Sequence, residues 1–139
     1  MAKQSGLGYS INVDDAGGTA RDISNDVTDF NYAMPRAVEE TTGVDKYAME
    51  RILTLADFSI SLNGIFNNAA NKSHDVLKTV PSTSVNRTTT LAITGPTSVT
   101  STLANECLYS DYQVKRDNTG KLTWTAPGIL ADGNVPTWT

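Results

Sequence analysis

The side chains able to do chemistry are few in this sequence, and their spacing brings none of them together. His74 is the sole histidine. With no second His and no Cys beside it in sequence, it makes no metal cluster. Asp75 would serve it as a base partner elsewhere, but here both fall on the polar side of a short helical pattern. Serines are abundant and no G-x-S-x-G turn singles one out, so a Ser-His-Asp constellation has no anchor. The carboxylate pairs Asp14-Asp15 and Glu39-Glu40 are adjacent. In extended chain, adjacent side chains point to opposite faces, so neither pair suits general acid–base work. The turn DDAGG at 14–18 supplies too few oxygen ligands for calcium. Gly6 and Gly8 belong to no phosphate-loop pattern. Cys107 is the lone cysteine and sits in a strand-like run, where a buried thiol is expected rather than a nucleophile or a disulfide. Trp124 shares the parity of Leu122 and Ala126, which places it in a core; Trp138 lies in the tail, where it can clamp its own domain or a neighbour. These residues lead to no enzyme, no metal and no cofactor.

The elements that must position these residues are mostly strands. The segment DFSISLNGIFN at 57–67 alternates with period two. Phe58, Ile60, Leu62 and Phe66, with Gly64 in step, are expected to face one core, and Ser59, Ser61 and Asn63 to face away. Tyr9, Ile11 and Val13 alternate in a first strand. Residues 23–32 form a second. Pro35 bars a central-strand position, and residues 36–46, RAVEETTGVDK, read as a long exposed loop or hairpin. Residues 47–55 fit a strand or one helical turn. Ala69, Ala70, Ser73, Val76, Leu77 and Val80 share a helical face, with Asn71 as cap and Pro81 as stop. Leu91 and Ile93 point inward from a strand at 88–94, closed by a Gly95-Pro96 turn. Leu108, Tyr112 and Val114 share one side of a run ending near Asp117. Asn118, Thr119 and Gly120 make a hairpin-type turn. A strand through Leu122, Trp124 and Ala126 ends or bends at Pro127-Gly128, and Asp132-Gly133 turns the chain into its tail.

The chain has 139 residues and a formal charge of -4, from 11 basic and 15 acidic residues. That length suits a single domain, with an arm at 1–8 and the long loop at about 35–46. No basic patch of the kind that grips phosphates appears; Lys115-Arg116 is the only adjacent basic pair. MAKQSGLGYS does not read as a signal peptide, and no apolar run approaches the roughly 20 residues of a membrane span. The fold class is therefore mainly β: a sandwich or barrel-like domain with one flanking short α-helix.

The order of motifs resembles the tail tube proteins of long-tailed bacteriophages. It comprises MAKQSGLG before a short strand, GVDKYAMERI, DFSISLNGIFNNA, SHDVL, a GKLTW strand and LADGNVPTW, and Gly43, Arg51, Asn67, His74, Gly120, Gly133 and Trp138 carry the likeness. The resemblance implies a structural subunit, hexameric rings stacked into a hollow conduit, and passage of double-stranded DNA without specific binding. It also implies terminator, tape-measure and tip proteins as partners, a place in the virion tail, and assembly in the host cytoplasm. The segment at 35–46 looks like the family's loop to the next ring, so Arg36, Glu39, Glu40, Asp45 and Lys46 are the candidate inter-ring residues. The alternatives are another phage structural protein (tail terminator, neck or capsid decoration) and a carbohydrate-binding β-sandwich that would use Trp124 or Tyr109.

Overall fold

The computed structural model describes residues 3–95 and 99–139. Met1 and Ala2 of the arm, and Pro96 of the expected Gly95-Pro96 turn, lie outside them. Ten strands and one short helix follow in order: β1 Ser10–Asp14, β2 Ala20–Asp22, β3 Val27–Ala33, β4 Arg36–Glu40, β5 Arg51–Ala56, β6 Ser59–Ile65, α1 Ser73–Leu77, β7 Arg87–Thr94, β8 Thr100–Tyr109, β9 Gln113–Arg116 and β10 Leu122–Leu130. The chain is mainly β, as its alternation dictates. Eight strands form an antiparallel sheet in the order β2-β1-β7-β8-β10-β6-β3, with β9 on the free side of β10; β4 and β5 pair only with each other. The sheet bends over its core in a sandwich-like manner. Tyr9, just before β1, packs edge-on against Phe30 of β3 at 4.9 Å, and its hydroxyl meets that of Tyr32 at 2.9 Å. Among the described residues no ladder closes the sheet into a barrel.

Period-two alternation sets the core. Phe58, Ile60 and Leu62 are buried with Ile11, Val13, Leu91, Leu103, Trp124 and Ala126. Gly64 continues the buried row because no side chain fits there: a Cβ would fall 1.9 Å from the carbonyl oxygen of Asp26. Phe66 departs from the expected face. It lies past the end of β6, half-buried, with its ring 4.6 Å from that of His74. Ile93 is likewise only half-buried.

Other expectations need correction. The strand read at 23–32 begins with a 3-10 turn at Ser24–Asp26, and only then becomes β3. Helix α1 is shorter than the 69–80 pattern. Ser73, Val76, Leu77 and Val80 are buried, but Ala69 and Ala70 are exposed, because the chain is still turning out of β6. Asn71 is not the cap. It takes a positive φ of 63°, the cap position is Lys72, and no side chain of that residue caps the helix. The buried Asp26 does this work from a distance: its carboxylate accepts from Ser73 N–H at 3.1 Å and from Asn67 Nδ2 at 2.9 Å, satisfying an otherwise orphan donor of the first turn.

Leu108, Tyr112 and Val114 do not share one side: Val114 pairs with the buried Trp124 and Tyr112 packs against the core, whereas Leu108 pairs with the exposed Ile129. Cys107 and Tyr109 are buried while Leu108 and Val114 are exposed. The run is not one strand: β8 ends at Tyr109 and β9 starts at Gln113, so parity is reset between them. Pro127-Gly128 does not end β10, which passes straight through. The carbonyl of Pro127 accepts from Ser110 N–H, so its nitrogen faces the same side. There β10 exchanges β9 (through Thr125) for β8 (from Gly128), and a missing donor costs no ladder bond. The turn between β9 and β10 is as expected. Gly120 takes φ 93°, and Asp117 Oδ1 accepts from the backbone N–H groups of Thr119 and Lys121.

Candidate assembly surface

Strands β3 and β6 run on, past Pro35 and Asp57, into β4 and β5. Asp57 N–H donates to the carbonyl of Pro35 at 3.0 Å, so the two pairs form one ribbon whose outer half leaves the body. Of the two open alternatives for this region, loop or hairpin, the structure takes the hairpin. Residues 47–55, open between strand and helical turn, become the strand β5. The candidate residues are spread along the ribbon. Arg36 stands at its root, with Nε donating to Thr54 carbonyl at 3.0 Å. Glu39 pairs across to Ile52 and Glu40 to Arg51. Asp45 and Lys46 sit at the tip, 3.5 Å apart. The turn is held by the ribbon's own bonds: Thr41 N–H to Glu50 carbonyl at 2.9 Å and Glu50 N–H to Thr42 Oγ1 at 2.9 Å.

Sequence reasoning overlooked the apolar side chains on the same hairpin. Val38, Val44, Tyr47, Met49, Ile52, Leu53 and Leu55 are all exposed. The signal was present in Ile52, Leu53 and Leu55, which are apolar without the alternation that would bury one face.

The second surface is the sheet face opposite the core. Register places Asn12 beside Thr90, Thr90 beside Ala104, Thr125 beside Asn63, and Asn63 beside Asp29. The residues of polar parity thus form two patches of one sheet face, on β2-β1-β7-β8 and on β10-β6-β3, which meet where the exposed Leu108 and Ile129 pair. Its charged members are Asp14, Asp22, Asp29 and Glu106, against Lys115 as the basic one. An open groove of about 390 Å³ lies at the hairpin end of the body, between the N-terminal arm and the tail, lined by Gln4, Ser5, Gly6, Tyr9, Ile93, Ser101 and Trp138. Trp138 bridges to Leu103 and its ring lies 6.1 Å from that of Tyr32, so it clamps its own domain.

The titratable groups are engaged in holding turns and packing. His74 Nδ1 lies 3.1 Å from the Tyr112 hydroxyl; the ring packs between Phe66 and Tyr112 rather than standing on an open polar side. Asp75 is held below the usual carboxylate range, chiefly by Lys78, whose Nζ is 2.8 Å away. Asp15 is lowered, first by the N–H of Thr19, against a burial effect that raises it, and also by Arg21 at 3.0 Å. Burial pushes the Cys107 thiol up to about 11 and the Tyr112 phenol up to about 12. Among the described residues no group of three or more His, Cys, Asp or Glu is placed to hold a metal ion, and no helix is long and apolar enough to cross a membrane. Trp124 and Tyr109 are buried. They offer no stacking platform, which corrects the carbohydrate-binding alternative built on them.

No protein-family model matches this sequence, and no curated protein matches it either. Solved structures do match in three dimensions. One is a chain from the tail of an empty GTA particle determined by helical refinement with C6 symmetry: TM-score 0.73, 14% identity, covering 99% of each chain. The likeness is one of fold. A chain from the virion of a native gene transfer agent particle superposes with TM-score 0.71, again at 14% identity and 99% of each chain.

Proposed function

We propose that this chain is the structural subunit of a phage-type tail tube, with hexameric rings stacking into a hollow conduit. The observation that carries the reading is the fold likeness, over 99% of both chains, to a tail with C6 symmetry. Two features of the chain support it. Among the described residues β4 and β5 pair only with each other, and a two-stranded hairpin alone is marginal in water. The free outer edge of β3 is a pairing template that a neighbouring subunit would cover.

In this reading the polar face lines the lumen. Its hydroxyl and amide groups are neutral, and its acidic residues outnumber Lys115, so DNA phosphates find no grip and double-stranded DNA passes without specific binding. The hairpin, with Arg36, Glu39, Glu40, Asp45 and Lys46, reaches the adjacent ring. Terminator, tape-measure and tip proteins complete the tail of a virion assembled in the host cytoplasm. Negative-stain microscopy of the purified protein tests the reading: sixfold tubes whose length grows with concentration are expected, and a protein that stays monomeric at high concentration refutes it. A second reading, as a terminator, neck or capsid decoration subunit, draws on the match to a chain of a whole virion. It predicts single rings or isolated subunits that never elongate.

A further inference from the structure

We propose that only one half of the outer sheet face, the half on β2-β1-β7-β8, lines the conduit, and that the half on β10-β6-β3 faces away from passing DNA. The proposal rests on the tube reading above and names the wall that the duplex meets. The sheet is continuous but folds over on itself. Its halves join through three residue pairs, Cys107, Leu108 and Tyr109 of β8 with Leu130, Ile129 and Gly128 of β10. Beyond that seam their inner sides close on one core. Ile11, Val13 and Leu91 from the first half are buried there with Ile60, Leu62 and Trp124 from the second, and Tyr9 meets Phe30 across it at 4.9 Å. Outer faces on the two sides of one core point in opposite directions. In a ring, therefore, one of them looks towards the axis and the other does not.

Charge and apolar content separate the two halves. The charged residues of the first are Asp14, Asp22 and Glu106, and among the described residues none of its outward positions is Lys or Arg. Away from the seam its largest apolar side chain is that of alanine, as at Ala92 and Ala104. The Thr88 hydroxyl donates to the Glu106 carboxylate, and the hydroxyls of Thr94 and Thr100 meet at 3.0 Å, so these groups engage one another instead of phosphates. Such a wall repels a polyanion weakly and keeps water between itself and the duplex. The second half, with β9 at its side, sets Lys115 beside Thr123, a cation able to hold phosphates. It also carries Ile65 and Ile129, 38% and 52% exposed. Exposed apolar groups gain from contact with protein, and a bore filled with water and DNA supplies none.

The test places a single cysteine on each half and labels assembled tubes with two maleimides, one small and one coupled to a protein too wide for the bore. Cys107 is 0% exposed, so the native thiol stays silent. A lumen position has one signature: assembly abolishes labelling by the wide reagent and preserves labelling by the small one. Thr90→Cys is expected to show it. Ser61→Cys is expected not to, being labelled in the tube by both reagents or by neither. Negative stain checks that each variant forms tubes. Should one fail to assemble, Ala104→Cys, opposite Thr90, or Asn31→Cys, opposite Ser61, takes its place. The signature at Ser61, or its absence at Thr90, overturns the proposal while leaving the tube reading in place. A wild type that never associates overturns both.

Discussion

Leu62 and Ser61 are neighbours in sequence and opposites in environment. Leu62 has 0% exposure, while Ser61 lies on the outer face beside Asn31. Leu62→Ala is expected to cost about 2–5 kcal/mol and Ser61→Ala far less, measured by denaturant unfolding. Equal losses would mean that the register of β6 is wrong. Arg87 is the unusual core member, 2% exposed. Its Nη1 donates to the carbonyls of Asp14 and Val76 at 3.0 and 2.8 Å, and its Nη2 to Thr79 Oγ1 at 2.9 Å. The Val76 carbonyl belongs to α1, so one cation ties helix to sheet. Arg87→Met leaves these acceptors unpaired and is expected to cost about 3 kcal/mol. Arg87→Lys should rescue little, since a compact ammonium cannot span the fork. Cys107 is 0% exposed and its thiol is raised to about 11 by burial. Its contribution to stability is therefore complete below the ordinary thiol value of 9.0 and is lost as pH rises towards about 11. A thiol reagent at pH 8 should modify the native protein no faster than it unfolds. Rapid labelling at low denaturant would show that the residue is not sealed in.

At the scale of elements, the hairpin is separable from the body in a way no other strand pair is. Its ladder is internal, and its apolar side chains do not enter the core. Replacing residues 37–55 with a short Gly-containing turn should leave a folded subunit, with a thermal midpoint within a few degrees of wild type, that no longer elongates into tubes. Normal tubes from this variant would remove the hairpin from the assembly contact. Strand β10 is the opposite case. It pairs with β6 along its length and with β9 and β8 in succession. The sequence could mark Pro127 as a break, because proline removes a donor. It could not reveal that the donor's side of the strand is where the partner changes.

Across the whole molecule, the outer sheet face joins polar residues from both ends of the chain, with the exposed Leu108 and Ile129 between the two patches. Thr90 and Ser61 belong to it. Placing Lys at both positions should leave folding and tube assembly intact, since neither is a core residue. If this face lines the conduit, each ring then carries added positive charge towards passing phosphates, and genome delivery should slow or stop, increasingly so at low salt. Tail formation by microscopy and DNA ejection are measured together. Intact tubes with undiminished ejection would place this face away from the lumen.

The sequence by itself determined whatever depends on local periodicity. Alternation at 58–62 and 122–126 set the strands and their buried faces, including Trp124. Gly120 and Gly133 marked where the chain turns. Tertiary structure decided whatever depends on a distant partner. Asp26 caps α1 across 47 residues, which no local cap pattern encodes. The shared side read for Leu108, Tyr112 and Val114 failed because parity resets between Tyr109 and Gln113. Arg87 enters the core because Asp14, Val76 and Thr79 converge on it from separate elements. Ile52, Leu53 and Leu55 broke the alternation that would bury one face, but only the three-dimensional fold shows that among the described residues no core covers them.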